Sequence, residues 1–211
     1  MKKTTIIILI LVFLYCGLYA ESFFETSLGF AFFSAKETAT YEGTTVSTNE
    51  KSTGMTADMT AMLFSEESKI GVDLGLSVLF PLSASASGVD VDVEFFSCNW
   101  CPRIGISRKT VLNKQLTMLT CAGYELMMNF KSTSAAGVTL RSTLLVHGLY
   151  VQDRFSYSME DGININAGLS LFFPIIGSQK LTLTGYGSEK LLIRYAGIML
   201  NPFIGIDIKT R

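Results

Sequence analysis

The stretch LTMLTCAGYELMMNFK, from Leu116 to Lys131, alternates between two kinds of side chain with a period of two. The even-numbered positions are mostly large and apolar, whereas the odd-numbered positions are mostly small, polar or charged. Successive side chains of a β-strand point to opposite faces of its sheet, so this alternation predicts a strand whose two faces meet different environments. The same period recurs along most of the chain and predicts an all-β protein.

Seven further segments show this alternation, which brings the predicted number of strands to eight. Their apolar faces run from Phe24 to Phe32, Met55 to Leu63, Ile70 to Val78, Phe96 to Ile106, Val138 to Tyr150, Ile163 to Leu171 and Ala196 to Ile208. In the segment that begins at Val138, Arg141 and His147 are assigned to the opposite, polar face. Short and long connections alternate along the chain, which is typical of a barrel that crosses an outer membrane.

The composition excludes several classes of function. The 211 residues include 17 Lys and Arg against 18 Asp and Glu, so the net charge of -1 provides no basic face for nucleic acid. A single histidine cannot build a metal centre with several histidine ligands. The mean hydropathy of +0.37 is too high for a disordered chain.

The N-terminus predicts export. Lys2 and Lys3 precede an apolar run from Thr4 to Cys16, and the small residue Ala20 follows it. This order is typical of a secretory signal peptide, so we expect residues 1–20 to be removed and residues 21–211 to form one barrel domain. The alternatives are a membrane anchor, for which the run is short of the roughly 20 residues needed, and a lipoprotein acylated at Cys16.

The apolar faces decide between a membrane barrel and a secreted soluble protein. Phe, Leu, Ile and Met recur on these faces, whereas the opposite faces carry Gly, Ser and Thr with scattered charges. Several tyrosines fall near the predicted strand ends, where aromatic side chains sit at a membrane interface. We therefore predict an antiparallel, eight-stranded transmembrane β-barrel with an up-and-down meander. The alternative is a secreted soluble β-barrel or sandwich that binds a ligand.

Two similar segments mark predicted strand exits, Gly75–Pro81 and Gly168–Pro174, and the closing strand is Asn201–Ile208. With these segments the mature chain resembles the small eight-stranded outer-membrane barrels of the OmpX, OmpA-domain and OmpW type, and their spirochaete members in particular. The resemblance implies a porin-like protein of the cell outer membrane. Its partners would be outer-membrane lipid and the barrel-assembly machinery. For the OmpW type it also implies the binding or passage of small hydrophobic solutes.

The predicted inward faces bring charged side chains together. The candidate network consists of Glu25, Asp58, Asp73, Arg103, Glu125, Arg141, His147 and Asp207. Side chains just fill an eight-stranded barrel, and an unpaired buried charge is costly. We therefore expect a salt-bridged plug in which Arg103 and Arg141 pair with acids, and we expect neither an enzyme nor a cofactor.

Two other interpretations of the same groups stay open at this point. The first is a narrow conduit lined by these side chains. The second is an acyl-hydrolase site in which Glu125 orients His147 as a base, although no motif locates the serine that such a site needs.

The cysteines are candidates for a disulfide rather than for a metal site. Cys98 and Cys101 are three positions apart on a strand and point to opposite faces, so they cannot readily bind one ion. If the next turn is centred near Val111, Cys101 lies opposite Cys121 with Cβ atoms about 4.5–5.5 Å apart, close to the distance that a disulfide needs. A turn centred at Asn113-Lys114 would instead leave all the thiols reduced.

Two long polar connections, residues 36–53 and 175–194, are predicted to be surface loops, and within the second one residues 179–192 are predicted to form a protruding hairpin around Gly185-Tyr186-Gly187. Loops on a rigid scaffold are frequent binding sites, so an extracellular ligand is expected there. The sequence therefore predicts a plugged outer-membrane scaffold whose loops have structural or host- and ligand-binding roles.

Overall fold

The computed structural model describes residues 20–41, 43–65, 68–91, 97–135, 138–159, 163–185 and 187–210. Most of the predicted signal peptide, including Cys16, lies outside the described residues, as does Phe96. The strands are β1 (Ala20–Tyr41), β2 (Thr44–Ser65), β3 (Ile70–Ala86), β4 (Val89–Val91), β5 (Asn99–Val111), β6 (Leu116–Ala135), β7 (Val138–Ser158), β8 (Ile163–Leu183) and β9 (Gly187–Thr210). Within the described ranges, no helix is long and apolar enough to cross a membrane.

Eight long strands close into a ring. Each long strand pairs antiparallel with the next one along the chain, and β9 returns to pair with β1, where Ser22 lies opposite Thr210. We call the end at which β1 begins and β9 finishes the inner end, and the opposite end the outer end. The predicted eight-stranded meander is confirmed.

The short strand β4 was not predicted. It forms a hairpin with the outer end of β3, where Ala84 lies opposite Val91. The turn places Ser87 and Gly88 at positive φ, 51° and 83°, as a tight two-residue turn requires. Three residues are too few to show a period of two, which is why the pattern missed this strand.

The outward side chains form an apolar belt around the ring. The belt includes Phe24, Leu28, Phe30 and Phe32 on β1, Met55 and Met59 on β2, Val72 on β3, Ile104 and Ile106 on β5, Phe130 on β6, Leu149 and Phe155 on β7, Ile165 and Leu169 on β8, and Ile204, Ile206 and Ile208 on β9. Apolar exposure on this scale is typical of a barrel that faces lipid and is not expected of a secreted soluble barrel.

The strands continue beyond the belt at the outer end. β1 and β2 stay paired as far as Tyr41 and Thr44, and β8 and β9 stay paired as far as Leu183 and Gly187. The prediction that residues 36–53 and 175–194 are loops is therefore wrong, because almost all of them form paired strands, whereas the hairpin predicted over residues 179–192 is confirmed. Neither face of these segments meets lipid, so the apolar alternation that reveals a strand is absent. We call the paired segments above the belt the outer extensions.

The two faces of β7 are exchanged relative to the prediction. Even-numbered residues from Val146 to Ser156 are buried and face inward, whereas Arg141 is exposed and His147 lies on the outward face. Residues 144–151 are apolar at most positions on both faces, so alternation there cannot decide the orientation. Polar residues nearer the inner end, among them the buried Arg154, show which face of β7 points inward.

The lipid-facing position of the belt can be tested at its middle. Ile204 is 69% exposed and lies opposite Leu28, halfway along the belt. We expect Ile204→Arg to destabilise the folded barrel by about 2–4 kcal/mol, because it places a guanidinium at the bilayer midplane. The measurement is a denaturant titration of protein refolded in lipid vesicles.

The control for this substitution is Ser134→Arg. Ser134 lies at the tip of β6, well above the belt. This variant should lose at most about 1 kcal/mol. Equal losses for the two variants would contradict a lipid-facing belt.

Candidate functional site

Arg103 on β5 is the centre of a charged cluster inside the ring. Its guanidinium lies 3.6 Å from the Asp58 carboxylate and 3.8 Å from the Asp73 carboxylate, and it donates a 2.6 Å hydrogen bond to the Thr60 hydroxyl. Glu125, opposite Arg103 on β6, is also buried. The structure therefore brings four of the predicted network residues together.

Tyr150 on β7 contacts the same charged cluster. Its hydroxyl donates a hydrogen bond to the Asp73 carboxylate, and the Arg103 guanidinium lies 5.5 Å from the centre of its ring. Gly75 and Gly105 leave the space for these large side chains. A Cβ atom at Gly75 would come within 2.4 Å of Nε of Arg103, and one at Gly105 within 2.4 Å of the Tyr150 hydroxyl.

A second ion pair lies nearer the inner end and joins Arg154 on β7 to Glu25 on β1. Both side chains are fully buried. Asp207 lies opposite Glu25 on β9. It accepts hydrogen bonds from Ser156 at 2.8 Å, from Asn166 at 3.3 Å and from Asn164. Arg154 was not among the predicted network residues, because the apolar alternation that predicts β7 extends only as far as Tyr150.

Apolar side chains fill the lumen on both sides of these charges. An inner cluster consists of Phe23, Met62, Phe64, Leu119, Cys121 and the ring of Tyr150. An outer cluster includes Ala31, Phe33, Leu79, Cys101, Met127, Val146, Phe172 and Met199. We call the two apolar clusters and the two ion-pair groups between them the lumen plug.

Two predicted network residues lie outside the plug. Arg141 is exposed and lies opposite Ser132 and Thr182, so its predicted pairing with lumen acids is wrong. His147 shares a hydrogen bond with the Tyr124 hydroxyl on the outward face. An acyl-hydrolase arrangement of His147 with the inward-facing Glu125 is therefore not assembled. Among the described residues, no group of three or more potential ligands could hold a metal ion.

The predicted disulfide is also wrong, because Cys101 and Cys121 are both free and buried. Cys121 lies opposite Ser107, six residues along β5 from Cys101, which is about 20 Å of strand. The turn between β5 and β6 fixes this register. The Asn113 side chain accepts hydrogen bonds of 2.9 and 2.8 Å from the backbone N–H groups of residues 115–116. Such a side-chain turn places the centre of the hairpin beyond Val111.

Above the outer cluster the barrel opens into a mouth cavity of about 250 Å³. Its floor is apolar and includes Leu79 and Met127, whereas Glu37, Glu50 and Lys131 line its wall. Glu50 lies above the belt. Burial and the neighbouring Glu37 carboxyl raise the pKa of Glu50 to about 8, although Lys131 acts in the opposite direction. Glu50 is therefore mostly protonated at neutral pH.

The plug can be tested through its most buried ion pair. We expect Arg154→Leu to destabilise the barrel by about 3–5 kcal/mol, because it leaves the Glu25 carboxylate buried without its partner. Replacing both residues by Leu should recover much of that loss, since no isolated charge then remains. The measurement is the same denaturant titration in vesicles.

Arg141→Leu is the control, because it removes an arginine that lies outside the lumen plug. Its exposed side chain makes no buried ion pair, so the change should stay within about 0.5 kcal/mol. A loss for Arg141→Leu as large as that for Arg154→Leu would mean that the plug does not depend on the Arg154–Glu25 pair.

Comparison with known proteins supports the fold and leaves the activity open. No family model and no curated protein matches the sequence. Several solved structures share the fold. One is the outer membrane protein OprG from Pseudomonas aeruginosa, with a TM-score of 0.61 and 14% identity over 92% of this chain and 97% of that one. Others are the outer membrane protein AlkL in lipid bilayers, with a TM-score of 0.51 and 15% identity over 92% of both chains, and the outer membrane protease OmpT from Escherichia coli, with a TM-score of 0.50 and 8% identity over 90% of this chain and 97% of that one.

One of these proteins is a protease and the names of the others state no activity, so the shared fold does not specify what the protein does. The features that this chain itself provides are the closed ring of eight long strands, the apolar belt and the polar side chains inside the ring. With these features, the chain has the fold of the small outer-membrane β-barrels.

Proposed function

We propose that the protein is a closed, non-enzymatic scaffold of the outer membrane that carries its binding surfaces on the outer extensions. The lumen plug is the observation that carries this proposal. Arg103 on β5 contacts acids on β2 and β3, Arg154 on β7 reaches Glu25 on β1, and apolar clusters fill the lumen beside these charges. Side chains that fill the lumen in this way support a barrel without an open channel for solutes.

The outer extensions suit a binding role because they are already ordered. Side-chain hydrogen bonds cross the β1–β2 extension between Thr38 and Ser47, at 3.2 Å, and between Thr40 and Thr45, at 3.2 Å. A surface that is rigid before binding loses little conformational entropy when a partner docks. We infer an extracellular partner at these extensions, in addition to outer-membrane lipid and the barrel-assembly machinery.

Conductance tests the closed state. Protein refolded into planar bilayers should show no steady pore of nanosiemens scale, because the plug blocks the lumen. A variant that lacks residues 38–47 should likewise show no steady conductance, since those residues lie above the plug. Heat-modifiable mobility in detergent verifies that both proteins are folded. A steady pore in the full-length protein would overturn the proposal.

The mouth cavity favours a second candidate function, the binding of a small hydrophobic solute. Its volume of about 250 Å³ is just below the usual range for ligand pockets, about 300–1,000 Å³. Its floor is formed by the apolar outer cluster, including Phe33, Leu79 and Met199. This function needs no open lumen, so it is compatible with the plug.

A matched pair of substitutions on β3 tests the cavity. Leu79→Trp fills the cavity and should reduce the binding of a neutral naphthylamine fluorophore to the barrel in nanodiscs at least tenfold. Leu82→Trp places the same ring on the outward face, where Leu82 is 44% exposed, and should leave binding unchanged. Equal binding by both variants would show that the fluorophore does not occupy the cavity.

A further inference from the structure

Three basic side chains lie side by side on the outward face of the outer extensions. Lys51 on β2 lies opposite Ser34, two residues from Lys36 on β1. Arg194 on β9 lies opposite Thr38, two residues from Lys36 on the other side. Residues in such diagonal positions are about 7–8 Å apart. We call these three side chains the basic strip.

The basic strip has little counter-charge of its own. All three side chains are exposed, and none has a carboxylate within 4.0 Å among the described residues. The acids of the β1–β2 extension, Glu37 and Glu50, line the mouth cavity on the other side of the wall, and Glu189 on β9 lies opposite Leu181, five residues beyond Arg194.

Asp90 on β4 shares a surface depression with Lys51 and is the acid that borders the strip. Among the described residues, this places one carboxylate beside three cations and leaves an excess of positive charge. Like charges held this close repel one another, so an anionic partner would stabilise the arrangement.

The height of the strip identifies the partner as a lipid. Phe30 and Phe32, with ring centres 5.0 Å apart, lie at the outer edge of the belt on β1. By register, Lys51 lies two residues beyond Phe32, at the level of Ser34, Lys36 lies four residues beyond it, and Arg194 lies opposite Thr38, six residues beyond it. At about 3.3 Å per residue and a strand tilt of about 35–45°, the backbone of the strip lies roughly 5–15 Å above the hydrocarbon. The headgroup layer is about 5–7 Å thick, and Lys and Arg side chains can reach down into it.

The strip is confined to one side of the barrel. Lys180 and Lys190 lie opposite each other at the tip of β8 and β9, where Lys190 is four residues beyond Arg194, and Arg141 lies opposite Thr182 near the same tip, so these charges stand above the strip. Near the height of the strip, the outward positions hold Phe80 and Leu82 on β3, next to β2, and Phe130 and Ser132 on β6, across the ring from β1, none of which is charged. A one-sided strip is suited to a bound lipid at a defined position rather than to a general attraction around the rim.

We propose that the basic strip binds the phosphate-bearing headgroup of an anionic lipid in the outer leaflet, whose acyl chains lie against Phe30 and Phe32. The guanidinium of Arg194 can donate two parallel hydrogen bonds to one phosphate group, and the two lysines supply compact charges beside it. Each basic residue near a membrane surface contributes roughly fivefold to affinity, so the three together should contribute about 100-fold.

The test compares two triple variants of the mature chain. Each protein is placed in nanodiscs of a zwitterionic lipid with a minor fraction of phosphatidylglycerol, and native mass spectrometry counts the phosphatidylglycerol that each barrel retains. The wild-type barrel should retain it selectively, and K36Q/K51Q/R194Q should bind it about 100-fold more weakly. The control K131Q/K180Q/K190Q removes the same charge from the mouth and the hairpin tip, and it should retain the lipid.

Several results would overturn the proposal. These are an absence of lipid preference in the wild type, retention by the strip variant, and an equal loss in the control. Displacement of the lipid by inorganic phosphate at comparable concentration would show that the strip recognises the free anion instead. All three replaced side chains are exposed, and heat-modifiable mobility verifies folding. Should the triple variant fail to fold, Lys36→Gln alone should weaken retention about fivefold, and unchanged retention by this variant would refute the proposal.

Discussion

The pairing of β9 with β1 is the constraint on which the rest of the structure depends. In lipid, every backbone N–H and C=O group needs a partner within the protein, and only a closed ring provides one for each strand. Closing the ring with eight long strands fixes a narrow lumen that side chains alone can fill. Large residues such as Arg103 and Tyr150 then fit only where Gly75 and Gly105 leave space beside them.

The same narrowness explains why the interior charges are arranged in pairs. A guanidinium that crosses an eight-stranded ring reaches acids on strands that are not its neighbours, as Arg154 on β7 reaches Glu25 on β1. These contacts join distant parts of the ring in addition to the hydrogen bonds between adjacent strands. With the interior occupied in this way, recognition is left to the outer surfaces: the extensions, the mouth cavity and the lipid-facing wall.

The sequence predicted the strands well wherever one face meets lipid and the other the lumen. The prediction failed where that contrast is missing. Residues 144–151 are apolar at most positions on both faces, so the orientation of β7 was inverted and Arg141 was placed inside. The outer extensions have water on their outward face, so residues 36–53 were taken for a loop. Arg154 was missed because its strand had been oriented from its apolar half.

The turn at Asn113 has a consequence for how the protein matures. By setting the register of β5 on β6, its side chain keeps Cys101 and Cys121 at separate levels of the lumen. Each thiol is enclosed by packed neighbours, out of reach of the other. The described part of the barrel therefore assembles without a disulfide between these two cysteines, and their free thiols stay packed inside the finished fold.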